Sequence, residues 1–253
     1  MLRATSGLFY DMVKGGDNVK NEISRRFETY CLEFLQCKLP DHNVRGSYKY
    51  LFRKNHQIDS PDVLVDDKGA ISLILECKAT RMSYEARFSE EPVADARRSY
   101  EEIAKGVFQI WRFASHHRRG LLGHERLSDG VSGIVLTLDT WLSMANAMQS
   151  DVIELARTMT ASRDPEITEA DQIPVIFCPI DDFEDTLRTA TETSFFAAVK
   201  AAREERFQGW QLSGVHGVIA PEVEENNGYP FEGRMAEVLP WWNRFAESSR
   251  APV

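Results

Sequence analysis

The chain has 253 residues, 43% of them apolar and 27% charged, and a net charge of −9. That length supports one large domain, or one domain with an added subdomain, and is ample for a sizeable core. The acidic balance counts against non-specific nucleic-acid binding through a broad basic surface but leaves room for a local basic patch, and no apolar run reaches the length of a membrane span.

The opening stretch, MLRATSGLFYDMVKGG, lacks the continuous apolar segment of a secretory signal. It also lacks periodicity. Residues 1–18 are therefore read as a connector, which gives the expectation that the chain is a piece of a longer protein. Cys31, Cys37, Cys77 and Cys178 lie in apolar segments without metal-site spacing. They are expected to be reduced, buried thiols in a cytoplasmic protein.

From Val19 to Leu39, the residues Ile23, Phe27, Cys31, Phe34 and Leu35 recur at spacings of three and four, which predicts a helix ended by Pro40. Glu28 lies beside its apolar face, and Glu33 points elsewhere. Asp41 to Gly46 reads as a turn, Tyr48 to Phe52 as an aromatic strand, and His56 to Ser60 as a polar link.

The segment Ser60 to Thr80 reads as a hairpin. Val63 and Val65 alternate with Asp62 and Leu64, and Asp66-Asp67-Lys68-Gly69 is turn chemistry. The return strand puts Ile71, Leu73, Leu75 and Cys77 on one face and Ser72, Ile74, Glu76 and Lys78 on the other. Glu76 and Lys78 thus project together. The parity of Asp62 allows it to join them, although the register is open. Charges in an apolar strand are costly unless paired, and a divalent metal held by both carboxylates is one good reason to keep them there.

Thr80 to Ala94 reads as a charged loop, in which Arg81 and Arg87 are candidate phosphate contacts. Ala96 to His117 is helical, with Tyr100, Ile103, Ala104, Val107, Phe108, Trp111 and Ala114 in a wide apolar stripe. A neighbouring stripe holds Glu102, Gly106, Gln109 and Phe113. Gly106 weakens a helix and is expected to let the backbone approach the sheet.

Arg118 to Gly130 reads as a loop and Val131 to Leu138 as a buried strand. Asp139 is read as the N-cap of a helix to Ala147, and Ser150-Asp151 as the cap of another to Met159. A polar loop, Thr160 to Ile173, leads to a strand from Pro174 to Ile180. Asp181 with Glu184 resembles a capping box. Ser194 to Phe207 reads as a helix, Gln211 to Ile219 as a last strand, and the Trp241-Trp242 segment as a docking helix.

This order predicts an α/β sandwich with a central mixed sheet flanked by helices. Residues 19–140 form its core, and 141–253 form a C-terminal α/β extension packed on it. Arg25-Arg26, Arg53-Lys54, Arg97-Arg98 and His116-His117-Arg118-Arg119 are candidate basic patches, each better explained alone as a solvated face. His116-His117 fits a solvated helix end. Helix capping and a solvated face account for Asp181, Asp182, Glu184 and Asp185.

Asp62, thirteen intervening residues and Glu76-Cys77-Lys78 together resemble the motif of the PD-(D/E)xK nuclease superfamily. The predicted order over residues 19–140 is similar to that superfamily's core of helix, three-stranded meander, helix and strand. Gln109 with Phe113 is similar to the Q-x-x-x-Y element of some branches, with Phe in place of Tyr. Glu28 stands where many members carry a further acidic residue.

The resemblance implies a restriction-endonuclease-like sandwich that hydrolyses DNA with Mg²⁺, Mn²⁺ substituting, and leaves a 5′-phosphate. Asp62, Glu76, Lys78 and Gln109 would be the catalytic residues. Asp62, Glu76 and the Cys77 backbone carbonyl would hold the metal. Glu28 would help a second ion or hold a metal-bound water. Lys78 would orient the attacking water or stabilise the transition state, and Gln109 would brace Lys78 or contact DNA. A homodimer, delivered or activated by another domain or subunit in a prokaryotic defence system and away from membranes, completes the expectation. Two alternatives stand beside it: a catalytically silent nuclease-fold module for nucleic-acid binding or assembly, and an RNA-cleaving nuclease. The plain structural alternative for the three charges is an ion-pair cluster on a sheet face.

Overall fold

The structure, a computed structural model, describes residues 17–53, 56–80, 96–139, 146–223, 225 and 228–231. Its strands are β1 (Asn43–Gly46), β2 (Lys49–Arg53), β3 (His56–Asp59), β4 (Val63–Asp67), β5 (Ala70–Lys78), β6 (Leu127–Thr137) and β7 (Val175–Pro179). Its helices are α1 (Asp17–Lys38), α2 (Arg97–Arg118), α3 (Asn146–Arg163), α4 (Ile180–Thr189), α5 (Glu192–Ala201) and α6 (Leu212–Ile219).

The central sheet runs β1-β4-β5-β6-β7, and β2 and β3 form a separate antiparallel pair. β1, β4 and β5 are antiparallel, whereas β5, β6 and β7 are parallel. Parallel neighbours need long crossovers; α2 links β5 to β6, and α3 lies between β6 and β7. The predicted α/β architecture with a mixed central sheet flanked by helices is thus observed.

Alternation along the strands divides the core in two. Leu64, Ile74, Val135 and Phe177 pack with α2 and with Val152 and Ala156 of α3. Val63, Val65, Leu73, Leu75, Cys77, Leu136 and Cys178 pack with Phe27, Cys31, Phe34 and Leu35 of α1 and with Phe183 and Phe195 of α4 and α5. Burying both faces requires the apolar runs that β5 and β6 supply.

Several expectations are corrected. Asn43–Gly46 is an edge strand, not a turn. Arg45 holds it, with Nε 3.0 Å from Asp66 and Nη2 2.5 Å from Glu125. His56–Asp59 is a strand whose polar sequence reflects its exposure. Ile71 joins the α2 side of the core, opposite to Leu73. The pairing Leu73 with Val65 and Ile71 with Asp66 leaves Ser72 as an inserted residue, and such a bulge resets the alternation. The turn itself is tight: Lys68 and Gly69 have φ of 50° and 84°, the left-handed pair of a two-residue hairpin.

α3 runs through Ser150-Asp151 without a break, and β6 starts at Leu127, inside the expected loop. α5 ends at Ala201, and a short 3-10 turn follows at Glu205–Phe207. Leu212–Ile219 is a helix, not a strand. Its buried Leu212, Val215 and His216 have helical spacing, and Asp182 meets its first turn, accepting from Leu212 N–H at 2.7 Å and Ser213 N–H at 3.1 Å. No capping box opens α4, whose N-cap is Pro179; Glu184 instead accepts from the Tyr30 hydroxyl.

His116 is fully buried, not solvated. The Tyr50 hydroxyl lies 2.8 Å from its Nδ1 and Asp164 lies 3.3 Å from its Nε2, and burial lowers its pKa to about 4. All four cysteines are free thiols; Cys31, Cys77 and Cys178 are buried as expected, but Cys37 is exposed. The loop with Arg81 and Arg87, most of the helix expected after Asp139, and Trp241-Trp242 lie outside the described residues. No described helix is long and apolar enough to cross a membrane.

Candidate active site

The hairpin β4–β5 carries the cluster. Ser60 fastens its approach: its N–H donates to Tyr48 O at 2.8 Å, and its hydroxyl accepts from Tyr48 N–H at 2.9 Å. Pairing of Val63 with Leu75 resolves the open register and sets Asp62 beside the end of β5. The Asp62 carboxylate then accepts from the Cys77 N–H at 2.7 Å.

Glu76 is wholly buried, and its partners are named by geometry. Lys78 Nζ donates to one carboxylate oxygen at 2.9 Å, and Gln109 Nε2 donates to the other at 3.1 Å. Lys78 also donates to Gln109 Oε1 at 3.0 Å. The three side chains close a ring, and the donors and acceptors on each side fix which way the Gln109 amide points. Of the two roles open to Gln109, bracing Lys78 is the one its side chain fills here, and it braces Glu76 as well.

Gly106 lies one turn before Gln109 on α2. A Cβ there would stand 2.9 Å from Lys78 Cε and 3.4 Å from Val135 Cγ2. The glycine therefore makes room for the lysine stem, which refines the expectation of close approach to the sheet.

The electrostatics follow from burial. Burial raises the Glu76 pKa to about 8; Lys78 opposes the rise and Asp62 adds to it. Asp62 is also raised by burial, against the pull of Lys78 and the Cys77 N–H. Burial disfavours the charge on Lys78, but Glu76 and Asp62 outweigh it and the net shift is upward. Glu28, on α1, is pushed up to about 7 by burial and by Asp62, against Lys78 and Arg25. It thus feels the same cluster from the opposite layer of the fold.

The Cys77 thiol belongs to the other face, as parity predicts. It packs in the α1 core and is pushed up by a hydrogen bond with Cys31 and by burial. The N–H and C=O of a strand residue point to the same edge. Since the Cys77 N–H points to Asp62, its carbonyl leaves toward Asp62 too. The oxygens of Asp62, Glu76 and this carbonyl fit a hard, oxygen-seeking divalent ion that keeps several waters. Among the described residues, no three His, Cys, Asp or Glu side chains are grouped to enclose a metal by themselves.

Comparison with protein-family models, with curated proteins and with solved structures returns no match to this chain. The functional reading therefore rests on the geometry above.

The basic runs picked out in the sequence are largely tied up within the fold. Arg25 and Arg26 pair with Glu22, and Arg97 pairs with Glu101. Arg118 binds Asp171, and Arg119 binds Asp164 and Glu166. Sequence reasoning missed a second basic group, Lys105, Arg112 and Arg163, which lines a pocket reaching Gln109. Lys105, Gln109 and Arg112 recur at helical spacing, which was the available signal; Arg163 arrives from a distant element.

Proposed function

We propose that the chain is a divalent-metal-dependent nuclease of the PD-(D/E)xK superfamily, with a restriction-endonuclease-like fold, that hydrolyses phosphodiester bonds of DNA. The carrying observation is the closed ring of Glu76, Lys78 and Gln109 beside Asp62, with distances of 2.9, 3.0 and 3.1 Å. A buried carboxylate and lysine fixed by a third side chain are preorganised, as a site that stabilises developing charge must be.

Asp62, Glu76 and the Cys77 carbonyl would hold the ion, and Glu28, whose carboxyl feels Asp62 and Lys78, would be the further carboxylate. When bound, the ion would supply charge neutralisation at the phosphoryl group and a more acidic water. Lys78, kept cationic by its two carboxylate neighbours, would stabilise the developing phosphoryl charge or orient the water. Gln109 would fix the direction of the ammonium. The chain's charge of −9 gives it little general attraction to DNA. The proposal therefore includes delivery by another domain or subunit, a homodimer that cuts two strands, and a cytoplasmic place as a defence effector.

The test incubates the protein with linear, circular and single-stranded DNA and with RNA, in Mg²⁺ or EDTA. Cleavage that requires Mg²⁺ and is abolished by Asp62→Ala, Glu76→Gln and Lys78→Ala is expected. Unchanged cleavage in all three variants, or none by the native chain, would sink the proposal. Cleavage of RNA alone would move the substrate class and keep the site.

A further inference from the structure

A second site opens beside the ring. Lys105, Phe108, Gln109 and Arg112 of α2 meet Arg163 and Asp164 at the end of α3 around a pocket of about 250 Å³. The β2–β3 pair closes its far side. Arg112 lies over the Phe108 ring at 5.5 Å and Arg163 over the same ring at 6.0 Å. The Arg112 Nε is buried and has no hydrogen-bond partner among the described residues.

The charges do not cancel locally. Asp164 is the carboxylate in the wall, and it is engaged by His116 at 3.3 Å and Arg119 at 3.4 Å. Among the described residues, Lys105 pairs with Glu102 alone, at 3.7 Å on an exposed surface. Three cations thus converge on one hollow of an acidic protein. A buried guanidinium donor without an acceptor is costly, and an incoming anion with several acceptor oxygens would satisfy it.

A guanidinium fork matches phosphate oxygens. The volume is below that of a pocket for a drug-sized ligand, so it suits one phosphate and its attached sugar. Gln109 joins the two places, since its amide holds Glu76 and Lys78 while its residue lines the pocket. We propose that this pocket is a phosphate subsite that takes a phosphodiester of the nucleic-acid strand adjoining the one at the carboxylate cluster. The strand as the source of that phosphate rests on the nuclease reading; the affinity of the pocket is measured separately.

The experiment follows fluorescence anisotropy of labelled single- and double-stranded oligonucleotides in EDTA, where cleavage is off, across a salt series. The doubly substituted Arg112→Gln, Arg163→Gln protein should bind at least 10-fold more weakly. Its slope of log affinity against log salt should fall by roughly 0.7–0.9 for each phosphate that the arginines no longer neutralise. Arg163→Gln alone, at an exposed position, should lose part of both and guards against a folding defect. Native affinity and slope in a double variant that melts like the parent would overturn the subsite, as would a native chain that binds no oligonucleotide and whose melting inorganic phosphate does not shift. A melting shift with inorganic phosphate, without any oligonucleotide binding, would replace the strand by a free phosphate. Native binding that depends on these arginines, with no Mg²⁺-dependent cleavage of any substrate, would refute the nuclease reading and leave the subsite standing.

Discussion

Gly106→Ala should separate the stability of α2 from the position of Lys78. In an exposed helix interior this substitution stabilises by about 1 kcal/mol. Here the new methyl would stand 2.9 Å from Lys78 Cε, about 0.6 Å inside the shortest comfortable carbon contact. Overpacking of that kind costs about 1–3 kcal/mol, so the native background should show a net change between about zero and a 2 kcal/mol loss. In a Lys78→Ala background the obstructing stem is gone. Val135 Cγ2 at 3.4 Å and Cγ1 at 3.5 Å then leave the methyl near ordinary contact, and the substitution should stabilise by about 1 kcal/mol. Urea unfolding of the four proteins, compared at constant m, yields the coupling energy. A coupling of about 1–3 kcal/mol is expected; additivity within about 0.5 kcal/mol would mean that Lys78 moves aside freely and that Gly106 has no role in seating it.

The folded protein holds protons on Glu76 and Glu28, whose pKa values rise from 4.5 to about 8 and about 7, chiefly through burial. The unfolded chain releases them at lower pH, so the stability these groups contribute is complete below 4.5 and is lost as pH rises through 7 and 8. The melting temperature in EDTA should therefore fall across that window, less steeply in Glu76→Gln; an equal or opposite slope in that variant would refute the assignment. Mg²⁺ or Mn²⁺ should displace those protons, because metal-bound carboxylates must ionise. Calorimetric titration near pH 7 in buffers of different ionisation enthalpy should report proton release, and binding without release would count against Glu76 as a ligand. Asp182→Ala removes the acceptor of Leu212 N–H, Ser213 N–H and the Ser213 hydroxyl. A loss of about 1–2 kcal/mol is expected for an acceptor that acts as a helix cap, read as a lower urea midpoint, and an unchanged midpoint would show that α6 is held by packing alone.

The hairpin was legible because β5 states its two faces in its own sequence. Glu76 and Lys78 are two apart, and nothing between them disturbs the parity. Ile71 was misassigned because a bulge at Ser72 leaves no mark in composition. The same limit applies to β1 and β3, which are four residues each and too short or too exposed to show alternation. His116 and Asp182 failed for another reason. Their partners, Tyr50 and Asp164 for one and the first turn of α6 for the other, come from remote segments. A polar residue's burial is set by tertiary neighbours that no local pattern announces. α6 itself fits both a short apolar strand and a helix by composition, and the acceptor waiting at its N-terminus favours the helix.

The candidate site shows how these two kinds of information combine. Strand parity delivers Glu76 and Lys78 to one face but leaves an ion pair that desolvation could make unfavourable. Gln109 changes that balance, since it satisfies Glu76 and Lys78 together. Gly106, three positions earlier, removes the side chain that would occupy the lysine's path. Both contributions come from one helical stripe, so a single element sets the charge and the space of the cluster. Asp62 at the end of the same hairpin and Glu28 from α1 add two more carboxyls, which Lys78 and, for Glu28, Arg25 oppose. Ionised together, these three carboxyls would outnumber their cations; the folded protein holds protons on Glu76 and Glu28 instead, and a divalent cation is the species that would take the protons' place.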